Sequence, residues 1–161
     1  MAADEPHGFL GIRWKYALPA ALAGAITALV LTGILYTGSM PLLFNPQLQS
    51  AKVLAVYNSI PPLPLLTSNI GAFLVGWFIV AMTRNLVFTR LFQGIPGTGI
   101  RKGLAWGLIV MLITILYAEF YTAVNLLGEP LYLSAFEWAI QLPAYLGEGV
   151  VVALIYRRAF S

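Results

Sequence analysis

The chain has 161 residues, of which 60% are hydrophobic and 9% charged, with a net charge of +3 and no cysteine. Soluble domains carry about 25% charged residues, so most of this surface faces something other than water. The missing thiols exclude disulfides, thiolate metal sites and cysteine nucleophiles, and the single histidine, His7, lies in a polar tail where it cannot serve as a buried haem ligand.

A hydrocarbon core about 30 Å thick is crossed by about 20 apolar residues in a helix. The first run of that kind predicts a span over residues 16–37, entered through Arg13-Trp14-Lys15-Tyr16, a basic and aromatic interfacial anchor. It is too long for a signal-peptide core and no A-x-A site follows Tyr36, which predicts an uncleaved span.

The loop expected over 38–66 contains Asn45-Pro46, an N-cap followed by a first-turn proline. From Gln47 to Tyr57 the apolar Leu48, Ala51, Leu54 and Ala55 share one helical face, which predicts a short amphipathic helix. Pro61-Pro62-Leu63-Pro64 then imposes an extended entry to a second span over 67–88.

The next loop, 89–102, carries Gly94-Ile95-Pro96-Gly97-Thr98-Gly99 ahead of Arg101 and Lys102. It lacks the Gly-Lys-Ser/Thr ending, the preceding strand and the acidic metal ligand of a phosphate loop, so it reads as a tight turn. Arg101 and Lys102 are instead candidate contacts for anionic lipid headgroups. A third span is expected over 103–124, a loop over 125–134 and a fourth span over 135–156.

Eight of the nine basic residues lie beside the same ends of these runs, namely Arg13, Lys15, Arg84, Arg90, Arg101, Lys102, Arg157 and Arg158; Lys52 falls elsewhere. Positive flanks are retained in the cytoplasm on insertion. The expectation is therefore an all-α integral membrane protein: a single domain, a four-helix transmembrane bundle with both termini cytoplasmic, in a bacterial inner membrane. Charge sorted to span ends, rather than gathered on one polar face, excludes nucleic acid as a partner.

Small residues recur four apart at Ala20, Gly24 and Ala28, at Ala72 and Gly76, and at Gly103 and Gly107. Such faces let helices approach closely where lipid supplies no hydrophobic drive, either inside the bundle or against a partner helix.

Chemistry would rest on ionisable groups at membrane depth, which cost roughly 2.5–3.5 kcal/mol each to insert. Arg84, Glu119, Glu137 and Glu148 are the candidates, with Gln141 beside them. Glu137, Gln141 and Glu148 are four and seven apart and share a helical face, interrupted by Pro143 and flanked by Gly147 and Gly149. Matching depths predict an Arg84–Glu148 ion pair and place Glu119 and Glu137 together near the outer side. These groups serve either as interhelical glue, or as a proton or cation path or a polar pocket for a small amphiphile.

With no cofactor or metal ligands expected, no catalytic residue assigned and very small soluble parts, the leading expectation is a non-enzymatic accessory or scaffold subunit of a larger membrane complex, partnered by other membrane subunits or by itself. The alternatives are a small carrier that uses the intramembrane carboxylates, or an enzyme acting on a lipid or isoprenoid with carboxylates as acid and base.

Overall fold

The computed structural model describes residues 11–58 and 70–160, and every regular element among them is helical. His7, the proline run at 61–64 and the expected start of the second span at 67 lie outside the described residues. Helix α1 spans Trp14–Leu43, α2 Ala51–Asn58, α3 Ile70–Leu91 and α4 Gly99–Ile115. The chain continues from α4 without a break into a π-helical segment, Leu116–Leu126, and then forms α5, Leu131–Tyr156, closed by a 3-10 turn at Arg157–Ala159.

Four stretches are long and apolar enough to cross a membrane: Trp14–Leu43, Leu74–Leu91, Gly99–Leu126 and Leu131–Ala159. Only 22–28% of each apolar window is buried within the fold. The remaining outward apolar surface has no counterpart in a soluble protein and needs lipid around it. The chain is a multi-pass membrane protein with four candidate membrane-spanning helices among the described residues.

Helix α1 runs longer than the span expected. At 1.5 Å per residue, the 30 residues of α1 reach about 45 Å, well beyond a hydrocarbon core. Its last two turns, through Pro41, border a cavity, with Tyr36 and Leu43 in its lining. The start of α4 at Gly99 draws Arg101 and Lys102 into its first turn, and positive φ angles at Gly97 (91°) and Gly99 (49°) make the preceding turn.

Asn45 does not cap a helix. Its Oδ1 accepts the Gln47 N–H at 2.9 Å and stabilises a turn. Helix α2 begins six residues later, at Ala51, where the Ser50 hydroxyl accepts the Val53 N–H at 3.1 Å as an N-cap.

Helices α1 and α5 pack along one another at the centre, α3 lies against α1, and α4 lies against α5. The small residues explain the two closest approaches. A Cβ on Gly103 would lie 2.5 Å from the Gly149 carbonyl oxygen, and one on Gly107 would lie 2.5 Å from the Tyr145 carbonyl oxygen, so α4 and α5 touch backbone to backbone. Gly24 on α1 is closed in by Val152 and Asn85. Gly76 on α3 differs: a Cβ there meets nothing within 4 Å.

At the end where the basic residues gather, an aromatic cluster seals the bundle. Phe88 and Trp106 stack at 5.0 Å between ring centroids, and Phe92 meets Tyr156 edge-on at 5.2 Å and stacks with Phe160 at 5.5 Å. Trp106 and Tyr156 are buried in this cluster with Val152 and Ala153. Arg13 donates to the Ala159 carbonyl and fastens the start of α1 to the end of α5.

Candidate functional site

The opposite end of the bundle is open. A half-open cavity of about 330 Å3 lies between the end of α1, the 45–53 segment, the π-helical segment and α5. Glu119, Glu129, Glu137, Gln49, Gln141 and Thr122 supply its polar lining, and Tyr36, Phe44 and Tyr117 supply aromatic rings. No arginine or lysine is among the described residues that line it.

Three different structural devices bring the carboxylates together. Glu119 stands in the π-helical segment, where i→i+5 hydrogen bonding widens the helix; such insertions concentrate at functional sites. Glu137 projects from α5 and is 7% exposed. Glu129 sits in the connecting turn, between Gly128 with φ of 71° and Pro130, and is 5% exposed. A carboxylate oxygen of each lies within 4.8 Å of one from each of the others.

Two residues of this site carry no signal in the sequence. Glu129 and Gln49 both fall in loops, and a loop residue declares its burial only through tertiary contacts. Gln49 donates its amide to Glu129 Oε1 at 2.5 Å and to the Leu43 carbonyl at 3.1 Å, and the Ser134 hydroxyl donates to Glu129 Oε2 at 2.7 Å. The same loop is fastened by Ser50 Oγ donating to the Leu127 carbonyl at 2.8 Å and by Tyr132 donating to the Leu48 carbonyl at 3.2 Å. The 45–53 segment thus forms a bonded cover over the carboxylates. Composition and spacing offered no metal ligands, yet the fold gathers three carboxylates in one place.

Deeper in the bundle, a smaller chamber of about 50 Å3 is lined by Thr32, Trp77, Arg84, Gln141, Tyr145 and Glu148. Arg84 on α3 donates through Nε to Glu148 Oε1 at 3.2 Å and through a second nitrogen, Nη2, to Oε2, a two-point ion pair. Its guanidinium lies 5.0 Å from the centre of the Tyr145 ring. Glu148 is 2% exposed, and this pair offsets the desolvation of both charges. Beside the pair, Asn85 donates to the Ala21 carbonyl at 3.2 Å and its own amide oxygen lacks a partner among the described residues.

Gln141 lines both spaces. Its amide donates to Glu137 Oε1 at 3.4 Å, a long and therefore weak bond, and lies beside Glu119. Along α5, Glu137, Gln141 and Glu148 describe a polar line about 16 Å long at 1.5 Å per residue. Beyond Glu148, the aromatic cluster closes the remaining distance to the basic end.

The two basic residues read as headgroup contacts are placed differently. Arg101 is exposed, whereas Lys102 is 8% exposed, donates to the Phe92 carbonyl at 2.5 Å and sits 4.5 Å from the centre of the Phe92 ring. Lys102 therefore satisfies a carbonyl at the end of α3 instead of presenting its ammonium to lipid.

No family model, curated protein or solved structure matches the chain, so the functional argument rests on these residues alone.

Proposed function

We propose that this is a small, non-enzymatic carrier in a bacterial inner membrane, with its basic end and both termini in the cytoplasm, that takes up a cationic solute through the carboxylate cavity. One observation carries this reading: three clustered carboxylates line a cavity with no basic side chain among its described lining. Two ionised carboxylates within 4.8 Å of one another repel by at least about 3.5 kcal/mol at an effective dielectric constant of 20. Such a group calls for an incoming positive charge or bound protons.

Size indicates the kind of cation. A cavity of about 330 Å3 is far larger than a bare metal ion and falls at the lower end of small-molecule sites, roughly 300–1,000 Å3. Tyr36, Phe44 and Tyr117 add aromatic side chains to the lining, a residue type that attracts ammonium and guanidinium groups. The solute class is thus a small organic cation. The arrangement also suits alternating access, with a cavity open at one end and an aromatic seal at the other.

An enzyme acting on a lipid or isoprenoid fits less well. Phosphate-bearing substrates of that kind would meet three carboxylates and no arginine or lysine among the described residues that line the cavity. A role as a subunit of a larger complex is favoured by one feature, the open surface at Gly76 on α3, which a partner helix would fill. Identification of proteins that copurify in mild detergent tests that second reading.

The carrier reading is tested by equilibrium binding of small organic and inorganic cations to the purified protein. Saturable binding of an organic cation that is lost in Glu137→Gln supports it; no saturable binding of any cation refutes it.

A further inference from the structure

We propose that the inner chamber is a second cation site on the same route, and that Arg84 is its resident occupant, a tethered guanidinium that the arriving cation displaces. The displacement rests on the carrier reading given above; the existence of the site does not.

The chamber has the parts that recognise a guanidinium. Glu148 offers both carboxylate oxygens, Tyr145 offers a ring face at 5.0 Å, and Gln141 and Thr32 complete a polar wall. Arg84 lines this chamber and pairs with Glu148 from a different helix. It belongs to α3, which packs chiefly against α1, whereas Glu148, Tyr145 and Gln141 belong to α5. The guanidinium therefore links α3 to α5 across the chamber.

Gln141 supplies the continuity. It lines the outer cavity beside Glu137 and the inner chamber beside Glu148, and along α5 it lies about 10 Å from Glu148. A cation leaving the outer carboxylates meets Glu148 as the next negative group on the α5 line, and Glu148 already holds a cation. Exchange keeps Glu148 paired, because one positive charge replaces another, and the released Arg84, whose side chain is 16% exposed against 2% for Glu148, is the partner whose long stem lets its charge reach polar surroundings. The released Arg84 frees α3 from α5, which couples occupancy of the chamber to a movement of α3. The ligand chemistry is set by what Arg84 imitates: a guanidinium or primary ammonium ion.

The test uses the full chain in mild detergent, radiolabelled guanidinium as the probe, and equilibrium dialysis against matched sodium chloride. Arg84→Ala empties the chamber and should bind one equivalent of guanidinium more than the wild type, and Arg84→Ala with Glu148→Gln should lose that equivalent. Equal stoichiometry in the wild type and Arg84→Ala overturns the inner site even if outer binding persists. Binding by Arg84→Ala alone, with none in the wild type, supports the inner site while removing the carrier reading. If Arg84→Ala does not fold unaided, it is purified with and without millimolar guanidinium. Recovery of folded protein with guanidinium only supports the proposal, and equal recovery, or none, in both conditions overturns it.

Discussion

The contact between α4 and α5 makes a sharp forecast, because it joins two backbones without side chains between them. In Gly103→Ala the new Cβ would stand 2.5 Å from the Gly149 carbonyl oxygen and from Val150 Cα, and 2.6 Å from Val150 N. Comfortable carbon contacts lie at about 3.5–4.0 Å, so the helices must part by about 1 Å. A gap of 0.5–1 Å forfeits roughly a quarter to a half of the dispersion attraction across it. Overpacking of this kind costs about 1–3 kcal/mol. The obstacle is backbone, which cannot swing aside, so the cost falls in the upper part of that range. Alanine returns about 1 kcal/mol of helix propensity, which leaves a net destabilisation of about 1–2 kcal/mol. Gly76→Ala is the internal control: it gains the same propensity and meets nothing within 4 Å. Thermal unfolding in mild detergent, followed by tryptophan fluorescence, should place Gly103→Ala below the wild type and Gly76→Ala at or above it. A Gly103→Ala protein as stable as Gly76→Ala would refute this packing.

The buried ion pair predicts a non-additive cycle. Arg84→Met or Glu148→Gln alone should each cost up to about 3–5 kcal/mol, because each leaves the partner's charge uncompensated inside the bundle. The double variant should recover most of the loss, and additive losses in unfolding experiments would contradict the pairing. The adjacent basic residues should behave oppositely. Lys102→Met removes a charge-assisted hydrogen bond to the Phe92 carbonyl and should lower stability by about 1.5–3 kcal/mol, while Arg101→Met at its exposed position should stay within about 0.5 kcal/mol; equal effects on the unfolding midpoint would contradict the assignment.

Much of the fold is legible in the chain because insertion into lipid acts on properties that can be counted. Four apolar runs and eight sorted basic residues express span number directly, and the Arg84–Glu148 pairing follows from counting residues inward from the basic ends of two spans. Gly103 and Gly107 announced a close helix contact, although nothing in the spacing named α5 as the neighbour. The carboxylate site was half legible. Glu119 and Glu137 stand out because charge within an apolar run is costly, whereas Glu129 and Gln49 lie in turns where polar residues are ordinary. Their burial arises only when the 45–53 segment folds over the start of α5. The π-helical segment at Leu116–Leu126 also leaves no periodic trace, since its residues are as apolar as an α-helical span would need. Asn45 misled for a related reason: its side chain serves turns and caps equally well, and here the turn took it.

The measurement that bears most directly on the carrier reading is uptake of small organic cations into liposomes containing the purified protein. Wild-type vesicles should accumulate at least one guanidinium or ammonium compound saturably, and paired Glu119→Gln and Glu137→Gln substitutions should abolish that uptake while the protein stays folded. Uptake no greater than in protein-free liposomes across the whole panel, or uptake unchanged by the paired substitutions, would contradict the account.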